Sequence, residues 1–359
     1  MYAKGLKFAS MPTKMARPNP HRSAVVTETP REDAAGSPPP SPLPSPLRFF
    51  PVTLFATVMG LSGLALAWRA AEASWGVGPV VSGAVAVLAA AVFGVVALTY
   101  LVKALRHRDA VAEELAHPVK INFFPAFSIS LILLSMLVHP YSEAVARPLW
   151  IAGAALHLVG TLAIMSAWIG HRPLPLGHIT PAWFIPVVGN VLAPPLGVQL
   201  GFVEMSWLLF SVGVIFWLVL LTLVFYRVMF HDPLPNRLLP TLAILLAPPS
   251  VGFLAWLALS GGELNAFGRV LYYAAVFTFL LLLVQLPRFI PLPFFLSWWA
   301  YSFPLAAFTV ATFEMARLLE SGFAAWAGVG LVAFATVVIG WLAVRTAYGA
   351  VTGQIFVPE

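Results

Sequence analysis

The feature that most constrains this chain is a series of long apolar runs that begins near residue 49 and continues almost to the C-terminus. Each run has about 20 residues, the length that an α-helix needs to cross roughly 30 Å of hydrocarbon. Charged residues make up 9% of the sequence, against about 25% in soluble domains, so the chain lacks the polar side chains to cover a water-facing surface. The sequence therefore predicts an all-α integral membrane protein.

The runs predict ten transmembrane helices, which short loops join into five consecutive hairpins. The predicted spans cover residues 50–71, 79–103, 119–138, 148–170, 181–202, 205–228, 238–259, 266–287, 297–318 and 322–346. Residues 49–346 thus form one ten-helix transmembrane domain, and residues 347–359 form a short C-terminal tail. The fifth span is the least regular, because prolines interrupt it.

Residues 1–48 are polar and rich in proline, with a dense run over residues 37–46. Proline removes backbone donors, and the segment has too few apolar side chains to bury, so we predict a disordered tail. Its role is either passive or regulatory.

Loop charges predict the orientation. If the tail is cytoplasmic, the same side carries most of the basic residues that flank the spans: Lys103, Arg106, Arg108, Lys120, Arg172, Arg227, Arg237, Arg288 and Arg345. The opposite side carries Arg69, Arg147, Arg269 and Arg317. The positive-inside rule then places both termini in the cytoplasm, as the even number of spans requires.

Proline and glycine concentrate in the odd-numbered spans, whereas spans 2 and 6 contain no internal proline. Proline bends a helix and frees carbonyl groups, which is tolerable around a wet interior and costly against lipid. We therefore predict an inner ring of odd helices lining a pore, although membrane helices in general are rich in both residues. The predicted pore-lining residues are Gly60, Pro125, Gly189, Pro194, Pro248, Ala300 and Ala307.

The ninth span opens with a large aromatic residue, Phe303, directly before a helix-breaking proline, Pro304. Small residues lie about one turn on either side, at Ala300 and Ala307. A bulky ring between small side chains suits a plug in a narrow channel, and an ordinary packed helix is the alternative interpretation.

Almost no charge lies deep within a span. Five basic residues fall at span ends, where long side chains reach the interface: Arg69, Lys103, Arg227, Arg317 and Arg345. His157 and Glu314 are the candidates for proton transfer, and a lone histidine on an outer span is more typical of hydrogen-bonded packing. The sequence has no cysteine, and no catalytic, metal-binding or cofactor motif was found.

A pore without deep charge favours passive conduction of weakly hydrated anions, with selectivity from pore diameter, helix dipoles and a basic cytoplasmic mouth. A proton-coupled carrier for dicarboxylates or another oxyanion is the second hypothesis. A membrane sensor or scaffold that signals through the tail is the third. The basic residues lie in the tail and loops, so their surplus does not indicate a nucleic-acid partner.

Five motifs follow one another at the starts or middles of odd spans: Phe50-Pro51 with Gly60 and Ala67-Trp68-Arg69, then His117-Pro118-Val119-Lys120, and residues 183–189, 247–252 and 299–304. Together they resemble the tellurite-resistance/dicarboxylate transporter family, which includes the slow-type anion channel of plant guard cells. The resemblance covers about residues 49–346.

This resemblance implies five hairpins, a homotrimer with one pore per subunit, and a multi-pass protein of the bacterial inner membrane. It also implies that a phenylalanine on the ninth helix occludes the pore. Phe303 matches that position best, while Phe308 and Phe295 remain alternatives. Family substrates range over chloride, nitrate, sulfite and malate, with tellurite-related phenotypes, and no residue in this chain selects among them.

Overall fold

The structure, a computed structural model, describes residues 46–170 and 175–356. Within those ranges the chain forms thirteen α-helices, joined by 3₁₀ segments and turns, and no β-strand. The helices are α1 (Phe55–Trp75), α2 (Val80–Arg106), α3 (Arg108–Ala116), α4 (Ala126–Val138), α5 (Glu143–Ile169), α6 (Phe184–Val188), α7 (Pro194–Gly197), α8 (Val203–Phe230), α9 (Ala247–Leu259), α10 (Ala266–Val284), α11 (Leu286–Phe289), α12 (Ser302–Leu318) and α13 (Gly322–Val351). The all-α prediction is confirmed.

Eight helical segments in the described part of the chain are long and apolar enough to cross a membrane. They correspond to eight of the ten predicted spans. The other two places are also helical but differ in form. The fifth is divided into short pieces, and the ninth is a 3₁₀ segment, Leu296–Tyr301, that continues directly into α12.

The fifth span is divided because its prolines and glycine interrupt regular hydrogen bonding. It consists of a 3₁₀ turn at Pro181–Trp183, then α6, then a second 3₁₀ turn at Gly189–Leu192, then α7. Nearly all of these residues are buried, so neighbouring helices shield the irregular backbone from lipid, as a membrane requires.

The helices form a ring of five hairpins. Each predicted inner element contacts its own outer partner: α1 with α2, α4 with α5, α6 with α8, α9 with α10 and α12 with α13. The inner elements close the ring, because α1 contacts α4 and α12, α9 contacts α12, and Gly189–Leu192 contacts both α4 and α9. In the odd spans that qualify as membrane-crossing, 67% to 72% of residues are buried, against 11% to 33% in the even spans.

Several boundaries differ from the prediction. Helix α5 begins at Glu143 rather than residue 148, and Pro148 lies inside it at the sixth position, where proline removes one backbone hydrogen bond. Helix α13 continues to Val351, into the predicted C-terminal tail. An amphipathic helix, α3, fills the loop after α2 and was not predicted.

At the N-terminal end, the described part of the predicted tail, from residue 46, forms a 3₁₀ turn, Pro46–Phe49. Its Arg48 makes ion pairs with Asp109 and Glu113 of α3. The Arg48 guanidinium lowers the pKa of the Asp109 carboxyl. Residues 1–45, Arg172 and residues 357–359 lie outside the described ranges, so the disorder predicted for most of the tail stays a prediction.

Helices α1 and α12 approach closely through glycine. A Cβ atom built on Gly60 would lie 2.3 Å from Ser302 Oγ and 2.9 Å from the Trp299 ring. One built on Gly63 would lie 3.1 Å from the Phe303 ring. Small residues are what allow membrane helices to pack at this distance. The glycines of α1 therefore set the position of the helix that carries Phe303.

We expect Gly60→Val to destabilise the protein by about 1–3 kcal/mol, the usual cost of inserting methyl groups into a packed interior. Gly94→Val on α2 is the matched control, because a Cβ on Gly94 meets no atom within 4 Å. Chemical unfolding of both purified variants in detergent measures the difference. Equal losses in the two variants would contradict the close-packing interpretation.

Candidate functional site

The ring encloses a cavity of about 530 Å³. Its walls come from the N-terminal parts of all five odd spans, from Thr53 and Met59 on the first to Ala300 and Phe303 on the ninth. Loop residues at the same end complete it, so the cavity opens on the side where the odd spans begin. By the loop charges, that side is the predicted cytoplasmic side.

Each odd span begins with a 3₁₀ segment before its α-helical part. These segments are Val52–Leu54, Lys120–Phe123, Pro181–Trp183, Leu239–Leu246 and Leu296–Tyr301. The prolines that the sequence suggested as mid-helix kinks lie mostly where the 3₁₀ segment changes to α-helix. Pro248 and Pro249 occupy the first turn of α9, and Pro125 immediately precedes α4. In a first helical turn proline costs no hydrogen bond and its φ angle already suits the helix.

This arrangement brings the N-terminal ends of α4, α9 and α12 to the deep part of the cavity. Ile129 of α4, Pro248 of α9 and Pro304 of α12 all line it. The N-terminal end of a helix carries a partial positive charge, which favours negative charge nearby. Here the preceding 3₁₀ segments pair the first N–H groups, as Ala247 N–H donates to the Ile244 carbonyl and Ser302 N–H to the Trp299 carbonyl. The deep cavity therefore attracts anions without a charged side chain.

The mouth of the cavity is basic. Within residues 46–170 and 175–356, its lining includes His117, Lys120 and Arg237 and no aspartate or glutamate. The Arg237 guanidinium lies 5.7 Å from the centre of the Phe295 ring. Ser297 Oγ donates a hydrogen bond to the Arg237 carbonyl, which fixes the loop before α9 to the segment before α12. The loop charges predicted that Lys120 and Arg237 lie on the cytoplasmic side, but they did not predict that both residues line the same cavity mouth.

Phe303 lies at the deep end of the cavity. Its side chain is 7% exposed and packs against Gly63 of α1. Ala307, the next small residue one turn further along α12, does not line the cavity. Phe308 does not line the cavity. Its ring stacks on Phe279 of α10 at 5.0 Å.

The other predicted pore residues divide into two groups. Gly189, Pro248 and Ala300 line the cavity together with Phe303. Gly60, Pro125, Pro194 and Ala307 do not. Gly60 faces Ser302 and Trp299, because its missing side chain makes room for α12. Ala307 lies about one helical turn beyond Phe303 on α12 and is not part of the cavity lining.

His157 is buried behind the cavity wall, with 1% of its surface exposed. Its Nδ1 lies 3.0 Å from Ser128 Oγ, and Ser128 Oγ itself donates to the Pro125 carbonyl. The serine hydrogen is thus used, so Nδ1 carries the imidazole proton and Nε2 presents a lone pair. Nε2 has no partner and lies against Gly189. The sequence had placed this histidine on an outer span and gave no sign of this contact.

The C-terminal segment also reaches the mouth. Gln354 and Ile355 line the cavity, and the Phe356 ring stacks on Phe50 at 5.7 Å. Gly353 turns the chain back with a φ of 73°, a left-handed conformation that favours glycine. In the described part of the chain, no three histidine, aspartate or glutamate side chains are grouped so that they could hold a metal ion.

A comparison with known families agrees with this geometry. Residues 49–347 match the SLAC1 family, described as a voltage-dependent anion channel. The chain belongs to this family. The match spans the ring of hairpins, and it confirms the resemblance drawn from the proline-containing motifs.

Curated relatives include plant and bacterial proteins. The S-type anion channel SLAH3 of Arabidopsis thaliana is 30% identical over 310 residues, which are 83% of this chain and 48% of the relative. The guard cell S-type anion channel SLAC1 of the same plant is 27% identical, over 75% of this chain and 50% of its own length. The tellurite resistance protein TehA homolog of Haemophilus influenzae is 26% identical, over 88% of this chain and 94% of its own length.

The chain spans about half the length of the plant relatives that it matches. The shared half contains the ring of hairpins. The chain is therefore a multi-pass membrane protein of a family of anion channels and transporters.

Proposed function

We propose that the chain is a passive channel for small monovalent anions such as chloride and nitrate, closed at Phe303 in this conformation. One observation supports the proposal: the lining of a cavity with a basic mouth combines the starts of several helices with the large, 7% exposed side chain of Phe303. An apolar constriction of this kind stops ions, because water and ions leave a narrow apolar passage.

The lining also supports a preference among anions. Below the mouth its side chains are mostly apolar, and none is charged. An anion that enters must lose water and gains only helix dipoles and backbone N–H groups in return. Weakly hydrated anions lose least, so we expect nitrate to permeate better than chloride, with modest discrimination.

Three further features belong to the proposal. We propose a homotrimer with one pore in each subunit, both termini in the cytoplasm, and a place in the bacterial inner membrane. The similarity to the Haemophilus influenzae relative over 88% of this chain supports the bacterial membrane. The basic loops that meet at the cavity mouth support the orientation.

Reversal potentials in planar bilayers test this function. With purified full-length protein, a passive anion channel gives a reversal potential that moves by about 59 mV for each tenfold nitrate gradient. This is the value for an ion that carries one elementary charge. We expect a smaller permeability for chloride and no dependence on a pH gradient. A reversal potential that ignores the anion gradient would contradict the proposal.

The second candidate is a proton-coupled carrier for C4-dicarboxylates or another oxyanion such as sulfite. The buried, unpartnered Nε2 of His157 favours it, because this atom could take up a proton next to the cavity wall at Gly189. The same bilayer experiment separates the two. A carrier gives anion flux that follows the pH gradient and loses this coupling in His157→Gln, whereas the channel shows neither effect.

A further inference from the structure

The cavity is larger than conduction of small anions requires. A volume of about 530 Å³ lies within the range of pockets that hold drug-sized organic molecules, roughly 300–1,000 Å³. A chloride or nitrate ion would fill a small part of it. Arg237 and Phe303 both line this volume, so a larger molecule can occupy it without any movement of the Phe303 ring.

Six aromatic side chains contribute to the otherwise largely aliphatic lining of this volume. Phe123, Phe184, Phe294, Phe295, Trp299 and Phe303 all contribute to it. Faces and edges of aromatic rings bind other flat apolar groups well, by about 0.5–1.5 kcal/mol per ring pair beyond the area that they bury. Such walls offer little to a hydrated inorganic ion. They suit an apolar organic body.

The polar groups lie at one end of the same volume. In the described part of the chain, the Arg237 guanidinium has no carboxylate or hydrogen-bond partner, and its contact is the Phe295 ring. Among the described residues, the cavity lining contains no aspartate or glutamate. A guanidinium binds carboxylate and sulfonate groups through paired, charge-assisted hydrogen bonds. The charge is thus available to an anionic head group at the mouth.

We propose that this cavity is a binding site for amphiphilic organic anions, which place their apolar body on the aromatic walls and their head group at Arg237. A bound molecule of this class occupies the space above Phe303 and blocks access to it from the mouth. The inference rests on the proposed function where it concerns block of the anion path. The binding itself does not depend on conduction.

Equilibrium dialysis tests the site with the full-length chain in lipid nanodiscs and radiolabelled 2-naphthalenesulfonate as the probe. We expect one saturable site per chain. Methanesulfonate, which lacks the apolar body, and 2-naphthalenemethanol, which lacks the charge, should each compete at least about tenfold less well, since each loses one of the two binding terms.

Two substitutions locate the site. Arg237→Gln should weaken binding about tenfold through loss of the charge-assisted contact. Arg269→Gln is the matched control, because Arg269 is exposed on α10 and does not line the cavity. Ala300→Phe narrows the cavity and should abolish saturable binding. Equal affinities for Arg237→Gln and Arg269→Gln, or binding that rises in proportion to lipid, would overturn the proposal.

The source of the anion is distinguished by competition. Displacement of the probe by 2-naphthoate rather than decanoate indicates water-soluble aromatic anions, and the reverse order indicates fatty acids delivered from the bilayer. Displacement by neither overturns the site. Nitrate currents recorded in planar bilayers from the same purified protein keep the two proposals separate. Binding without current supports the site and contradicts the channel, and current without binding does the opposite.

Discussion

Phe303→Ala is expected to raise anion conductance at least about tenfold over the wild-type chain, since removing the ring lowers the barrier by about 1.4 kcal/mol or more. The ring is 7% exposed and lines the cavity, and the proposed channel is closed at this ring. Alanine would leave the position open to Gly63 on α1, which has no side chain to replace it. Currents across planar bilayers, normalised to the amount of protein, measure the effect.

The neighbouring aromatic residues provide controls for the gate. Phe308 is as buried as Phe303 but stacks on Phe279 of α10, away from the cavity. Phe308→Ala should therefore lower stability by about 3–5 kcal/mol and leave the conductance per folded molecule unchanged. Phe295 lies at the mouth beneath Arg237, so Phe295→Ala should not open the channel. A larger current from Phe308→Ala than from Phe303→Ala would show that Phe303 is not the gate.

The inner ring could be predicted because its cause is visible in the sequence. Proline and glycine are tolerated only where the backbone faces other helices or water, so their segregation into odd spans indicated which helices are inside. Their local role could not be predicted in the same way. Pro248 was expected to bend a helix and instead begins one, because composition does not show whether the residues before a proline are α or 3₁₀.

The cavity itself was harder to predict than the fold. Gly60 and Gly189 look alike in sequence, yet Gly60 makes room for a neighbouring helix and Gly189 lines the cavity. Which face of a helix looks inward depends on its rotation, and an apolar span has no polar face that would fix this rotation. The hydrogen bond and burial of His157 agree with the packing role that the sequence favoured, but its contact with Gly189 could not be predicted, for the same reason.

The surroundings of charged residues near helix ends also could not be predicted from the sequence. Lys103 and Arg227 were expected to reach the membrane interface, but their surfaces are 1% and 4% exposed. Each is held by protein groups instead: Arg227 donates to the Asp232 carbonyl, and Lys103 is paired with Glu114. The partner of Lys103 lies on α3. This helix is short and polar, so it lacks the long apolar run that predicts a membrane span.

Lys103→Met is expected to destabilise the protein by about 3–5 kcal/mol, because it leaves a carboxylate buried without its counter-charge. Lys103 Nζ lies 3.0 Å from Glu114 Oε1 and donates to the Phe50 carbonyl at 2.8 Å. Tyr100 donates to the other oxygen of Glu114 at 2.7 Å. The substitution removes both the ion pair and the donor to Phe50, and chemical unfolding in detergent measures the loss.

Two further variants separate the buried pair from charge effects in general. Lys103→Met with Glu114→Gln should lose less than Lys103→Met alone, since no unpaired charge remains. Arg317→Met is the matched control, because its ion pair with Glu314 is exposed at 65% and 37% and should contribute about 0–1 kcal/mol. A loss in Lys103→Met no larger than in Arg317→Met would show that the pair is not needed.

The buried pair also bears on the cavity. The Phe50 carbonyl that Lys103 holds lies just before the 3₁₀ segment Val52–Leu54, whose Thr53 lines the cavity. Release of this carbonyl should loosen the start of the first span and hence the mouth. We therefore expect folded Lys103→Met protein to bind the naphthalene probe more weakly than wild type, while Arg317→Met binds it unchanged. Unchanged binding in both would show that the pair stabilises the fold without shaping the mouth.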